Sequence, residues 1–112
     1  MQHIYEHVYE PSDDSFLLAN IIPKHAKGKV IDMGTGSGIL AESAAKSTKV
    51  KSVLAVDINP HALKFVDSLD RSERPYREKI TTRRSDLFSK VEEKFNTIIF
   101  NPPYLPEDKR IP

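Results

Sequence analysis

The chain has 112 residues, 38% of them hydrophobic, and a net charge of +1 from 17 basic and 16 acidic residues. That size and balance fit one modest soluble domain and disfavour a dedicated duplex-DNA binder, which carries a larger basic excess. No apolar run is long enough to span a bilayer, no basic-then-apolar leader opens the chain, and there is no cysteine for disulfides or thiolate-held zinc, so a cytoplasmic location is expected.

Taken in order, His3 to Tyr9 mixes β-formers with charge and is expected to be extended or irregular. Pro11-Ser12-Asp13-Asp14 reads as a helix start, with Ser12 as cap and two acids at the positive end of the helix dipole. Phe16, Leu17, Asn20 and Ile21 follow at helical spacing, and Pro23 is expected to stop the element. Lys29 to Met33 is a short strand, residues 34–38 a loop, and Ile39 to about Ser47 an alanine-rich helix. Ser52 to Asp57 is a second near-continuous apolar run, as central parallel strands are. Pro60 suits the first position of a helix that continues from His61 to Leu69. Arg71 to Lys79 is charged, broken by Pro75, and reads as a loop. Ile80 to Arg84 is a more polar strand suited to a sheet edge, and Phe95 to Phe100 is a strong strand that ends in Asn101-Pro102-Pro103-Tyr104.

This alternation predicts an open parallel α/β sheet, and in such sheets ligands bind outside the carboxyl ends of the strands. The unusual residues fall at those ends: Asp32 with Gly34, Gly36 and Gly38, then Asp57, Asp86, and Asn101 to Tyr104. Alternate glycines permit positive φ and leave no Cβ between the loop and a small molecule. A dinucleotide fingerprint would need glycine at 39, where Ile39 stands, and no lysine follows as in a Walker phosphate loop. Asp32 below the loop disfavours a pyrophosphate and favours a ligand carrying ammonium or sulfonium charge. S-adenosylmethionine carries both, and its carboxylate can use backbone N–H groups near the next helix. Asp57 is placed to accept the ribose hydroxyls and Asp86 to accept from the adenine amino group, with Leu87 against the ring. Each motif alone has a plainer reading. Asp57 with Asn59-Pro60 is also turn chemistry, and Asp86 alone is an ordinary solvated acid. Their order and convergence on one rim favour the cofactor.

Asn101 to Tyr104 supply the acceptor chemistry. The Asn101 carboxamide oxygen and the Pro102 carbonyl can each take a hydrogen from a planar –NH₂ group, while Pro102 and Pro103 fix φ and remove N–H donors. Tyr104 offers an aromatic face to a planar substrate. An amide or exocyclic amine is a poor nucleophile, and such acceptors stabilise the positive charge that develops on nitrogen as a methyl group arrives. Asn101, Pro102 and Tyr104 are thus the candidate catalytic residues. No metal is needed, and His3, His7, His25 and His61 are too scattered to form a metal site.

These motifs resemble the class I S-adenosylmethionine-dependent methyltransferases, in the group whose Asn-Pro-Pro-Tyr motif serves planar nitrogens. The opening Val8-Tyr9-Glu10-Pro11-Ser12-Asp13-Asp14-Ser15-Phe16-Leu17-Leu18, with Val56-Asp57-Ile58-Asn59-Pro60, looks like the archaeal and eukaryotic branch of the HemK-like glutamine N5-methyltransferases. That resemblance implies methylation of the glutamine in the Gly-Gly-Gln motif of a class I translation termination factor. It implies cofactor contacts at Ser15, Asp32, Gly34, Asp57, Asp86, Leu87 and Asn101, and substrate contacts from Asn101 through Leu105. It implies S-adenosylhomocysteine as product and a small zinc-binding activator subunit as a candidate partner. It also implies a Rossmann-like fold with helices on both faces of a seven-stranded sheet. Residues 1–112 supply only four strands, expected in the order 3-2-1-4, so the chain is expected to be the N-terminal part of the domain, with the C-terminal strands missing. Bacterial relatives add an N-terminal helical domain for which the segment 1–29 is too short. Two other functions stay open: amino methylation of nucleic acid at adenine N6 or guanine N2, disfavoured by the near-neutral charge, and a truncated, non-catalytic cofactor-binding module.

Overall fold

In the computed structural model, described for residues 13–69, 72 and 74–100, four parallel strands form one sheet. They are β1 (Gly28–Met33), β2 (Val50–Asp57), β3 (Ile80–Arg84) and β4 (Thr97–Phe100), in the spatial order β3-β2-β1-β4. The helix α1 (Asp13–His25) precedes β1, and between the strands run α2 (Ile39–Ala45), α3 (Pro60–Asp67) and a 3₁₀ turn over Pro75–Lys79. The expected strand order is therefore observed. The extended segment expected at His3 to Tyr9, the Ser12 cap and residues 101–105 lie outside the described residues.

The two central strands show why their sequences read as unbroken apolar runs. Residues 30–33 of β1 and 53–56 of β2 are all buried, because both sheet faces are covered. On one face Val30, Val53, Ala55, Ile80 and Ile99 pack with Ile22 and Ala26, with Leu40, Ala41, Ala44 and Ala45 of α2, and with Val66 of α3. The alanines let α2 approach the strands closely. On the other face Ile31, Met33, Leu54 and Val56 pack with Val91 and Phe95 from the segment joining β3 to β4. At the outer edge, β4 buries Ile99 and leaves Ile98 and Phe100 58% and 55% exposed.

Two expectations need correction. Pro23 does not stop α1, which runs on to His25. A proline inside a helix deprives the carbonyl four residues earlier of its N–H partner, here that of Ala19. The Ser43 hydroxyl of α2 donates to that carbonyl instead. The cost of the proline is thus met by a neighbouring helix. Residues 75–79, read as loop, form the 3₁₀ turn, which Pro75 can open without losing a bond. The Arg77 guanidinium pairs with Glu42 of α2 at 2.7 Å and fixes that turn to the helix layer.

The last strand is shorter than expected because Asn96 spends its polar groups differently. Its N–H donates to the Lys29 carbonyl at 2.8 Å, and its Oδ1 accepts the Lys29 N–H at 2.8 Å. Thr97 Oγ1 adds a bond to each backbone group of Lys27. Regular pairing then begins with Val30 opposite Thr97 and ends with Met33 opposite Phe100.

Candidate functional site

β1 ends at Met33, and the chain turns through residues 34–38 before α2 begins. All three glycines of the loop take positive φ, at +76°, +54° and +84°, a conformation that costs other residues roughly 1–2 kcal/mol each. The Gly34 and Thr35 amides both donate to the Val56 carbonyl at 2.8 Å, and Gly38 N–H donates to the Thr35 carbonyl at 2.8 Å. At Gly38 a Cβ would lie 2.8 Å from Val66 Cγ2, so glycine allows α3 to close on the loop. At Gly34 nothing lies within 4 Å of where a Cβ would be. The loop is packed at its end and open at its start.

Two carboxylates brace it. Asp57, half-buried at the end of β2, accepts Gly36 N–H on Oδ2 at 2.9 Å and Asn59 N–H on Oδ1 at 2.9 Å. Asn59 then caps α3 by accepting His61 N–H at 2.9 Å, with Pro60 at the helix start. Each Asp57 oxygen keeps lone-pair capacity for a further donor. Asp32 is only 1% exposed and accepts the Thr35 hydroxyl at 2.8 Å. Burial pushes its carboxyl up to about 6, the Thr35 hydroxyl and more weakly the Ala41 amide pull it down, and the negative Asp57 pushes it up slightly. Its charge acts from beneath the loop, with the side chain enclosed.

β3 delivers the third group. Ser85 N–H donates to the Asp57 carbonyl at 3.1 Å, carrying the sheet one residue further. Asp86 and Leu87 follow, both exposed, with Leu87 at φ +54°. The buried Ser85 hydroxyl holds this turn, donating to the Leu87 carbonyl at 2.7 Å and accepting Lys90 N–H at 2.9 Å. Ser15 is buried in the first turn of α1, a helix that leads into the start of β1. Thus Asp32, Gly34, Gly36, Gly38, Asp57, Asp86 and Leu87 sit at one rim of the sheet, with Ser15 far from the helix end that enters β1. Asn101, Pro102, Pro103, Tyr104 and Leu105 lie outside the described residues; Phe100, which precedes them, stands opposite Met33 at that rim. Thr35 and Ser85 are polar residues of the rim that sequence reading passed over. Their signal was a hydroxyl residue directly beside a turn.

A separate concavity lies beside β3, lined by Arg83, Lys90, Glu92 and Glu93. Arg83 and Glu93 pair there in a two-bond fork at 2.8 and 2.7 Å, which holds the exposed Glu93 carboxyl down at about 2. Among the described residues, no three His, Asp or Glu side chains gather as a metal site, and no helix is long and apolar enough to cross a membrane.

Residues 10–111 match the methyltransferase small domain family. The chain belongs to that family. Among relatives of this methyltransferase small domain, a protein of Methanocaldococcus jannaschii named as a protein N5-glutamine methyltransferase is 37% identical over 96% of this chain and 54% of its own length. A release factor glutamine methyltransferase of Clostridium acetobutylicum is 32% identical over 96% of this chain and 40% of its own. A tRNA1(Val) (adenine(37)-N6)-methyltransferase of Tolumonas auensis is 31% identical over 88% and 42%. The domain thus spans about half the length of these relatives, or less. Among solved structures, wild-type Trm5b from Pyrococcus abyssi superposes with a TM-score of 0.70 at 27% identity, over 88% of this chain and 28% of that one. The fold is the Rossmann-like methyltransferase fold.

Proposed function

We propose that this chain is the cofactor-binding part of an S-adenosylmethionine-dependent methyltransferase whose acceptor is the glutamine side-chain amide of a class I translation termination factor. The observation that carries the reading is the pairing of an open turn at Gly34 with the Asp57 carboxylate on the same rim. These groups fit a nucleoside that bears a cation. Asp57 has oxygens already oriented by Gly36 and Asn59, with capacity left for two ribose hydroxyls. Asp86 and Leu87 would meet the base, and the negative Asp32 would attract the sulfonium and ammonium groups. When bound, the cofactor supplies an electrophilic methyl group.

On this reading Asn101 and the Pro102 carbonyl accept the two amide hydrogens of the acceptor, and Tyr104 stacks on its plane. Pro103 and Leu105 complete the substrate contact. The protein-glutamine acceptor is favoured by the relative from Methanocaldococcus jannaschii, which aligns over 96% of this chain, and by several release factor enzymes. On this reading the chain falls in the archaeal and eukaryotic branch, with a small zinc-binding subunit as candidate partner. A second reading, amino methylation of RNA, is favoured by the tRNA adenine-N6 relative.

The test is transfer of labelled methyl from S-adenosylmethionine to either a termination factor or RNA, using the full-length protein. Label on the glutamine of the factor is the expected result. Label confined to RNA would replace the first reading with the second.

A further inference from the structure

Thr35 is buried in the loop and tied at three points. Its N–H goes to the Val56 carbonyl and its carbonyl takes Gly38 N–H, both at 2.8 Å. Those two main-chain bonds hold the backbone without help from the side chain. The hydroxyl is spent elsewhere, on Asp32 Oδ2 at 2.8 Å. Asp32 in turn is an enclosed acid, and among the described residues the charged side chain that acts on it is Asp57 on β2, of the same sign. On α2, Glu42 turns away to Arg77. An enclosed carboxylate of this kind favours its neutral form unless a donor holds the charge.

Resting on the reading of the loop as a cofactor cradle, we propose that Thr35 is a positioning residue for S-adenosylmethionine: its hydroxyl keeps Asp32 ionised beneath the loop, and that charge draws the cofactor's cationic groups. The Thr35 hydroxyl is the largest influence favouring the charged form, ahead of the Ala41 amide, and it opposes burial and Asp57. The balance leaves Asp32 titrating at about 6, within reach of ordinary pH. A cation bound near such an acid favours its ionised form, so binding and deprotonation are linked. Affinity then rises as pH increases through this range, by at most about tenfold per pH unit for one proton, and binding below it releases a proton.

The experiment is calorimetric titration of the full chain with S-adenosylmethionine from about pH 5 to pH 8, in two buffers of different ionisation enthalpy. The linkage predicts proton release near pH 6 that vanishes toward pH 8, with a matching gain in affinity. Thr35→Val should move the midpoint upward by roughly half a pH unit or more; Thr35→Ser should restore it. Asp32→Asn should flatten the profile, and because the ligand's own titration is common to both proteins it cancels in that comparison. Should Thr35→Val fail to fold, Thr35→Ala, which removes the same hydroxyl, supplies the comparison with Thr35→Ser. Binding that is independent of pH, or a midpoint unmoved in Thr35→Val, would overturn the role of Thr35 and leave the cofactor reading intact. No binding at any pH would instead overturn the cofactor reading, and this inference with it.

Discussion

Asp57 Oδ2 accepts the Gly36 N–H at 2.9 Å, and that bond joins the end of β2 to the middle of the loop after β1. The carboxylate is therefore oriented before any ligand arrives, so little ordering remains to be done on binding. Asp57→Ala should weaken S-adenosylmethionine binding by about 1.5–3 kcal/mol, the worth of hydrogen bonds to a charged group. It should also lower the melting temperature, since two backbone amides lose their acceptor. Calorimetry checks the first and thermal unfolding the second. Unchanged affinity would remove Asp57 from the site.

The glycines of the loop should separate by substitution. Gly38→Ala combines a left-handed backbone with a Cβ 2.8 Å from Val66, so strain and overpacking add. A loss of roughly 2–4 kcal/mol is expected from those two sources. Gly34→Ala meets open space and should cost only the conformational part, about 1–2 kcal/mol. Its methyl group would occupy the open side of the turn, so its main effect should be on ligand affinity. Urea unfolding paired with ligand titration distinguishes the two.

Ser43 and Pro23 should be coupled across the two helices. Ser43→Ala strips the Ala19 carbonyl of the hydroxyl that serves it, at an expected cost of about 1–3 kcal/mol. In a Pro23→Ala background the helix regains its own N–H for that carbonyl, and the same change should cost clearly less. A double-mutant cycle by chemical denaturation measures the difference. Additive effects would show that Ser43 does not act through Ala19.

The pH dependence of the ligand-free chain follows from Asp32, whose carboxyl is raised in the folded state from its ordinary 3.8 to about 6. The folded state therefore holds a proton that the unfolded state has released between these values. The stability contribution is complete below about pH 4 and is lost as pH rises through 6, on the order of 2–3 kcal/mol. Asp32→Asn should remove this component and stabilise the chain near pH 7 while weakening cofactor binding. Denaturation midpoints at a series of pH values for both proteins provide the check. A wild-type curve with no excess loss between pH 4 and 6 over the variant would contradict it.

Much of this fold is legible in the sequence because central strands announce themselves. β1 and β2 are buried on both faces, and that requirement writes unbroken apolar runs such as Val53 to Val56. The loop is legible because positive φ at 34, 36 and 38 demands glycine. What escapes the eye depends on partners distant in the chain. Nothing near Pro23 says that Ser43 will take its orphaned acceptor, so the helix looked finished two residues early. Asp32 stands at the right place for a ligand-facing acid, yet its strand position points it into the helix-covered face. Thr35, between two glycines, gives no sign in the sequence that its hydroxyl meets a buried carboxylate. Leu87 gives no sign of its left-handed backbone, because the Ser85 hydroxyl that supports the turn is an ordinary residue in an ordinary place.

Asn96 acts as a gauge. By gripping Lys29 with both its backbone and its side chain, it fixes where β4 starts against β1. A slip of one residue would swap Ile99 for its outward neighbours and shift the far end of β4 by about 3.3 Å along the sheet. Phe100 would then no longer stand opposite Met33, and the chain leaving β4 would depart at a different height from the glycine loop. The amide at the foot of the sheet, with the two bonds of the Thr97 hydroxyl to Lys27 beside it, thereby calibrates alignment at the head of a strand only four residues long.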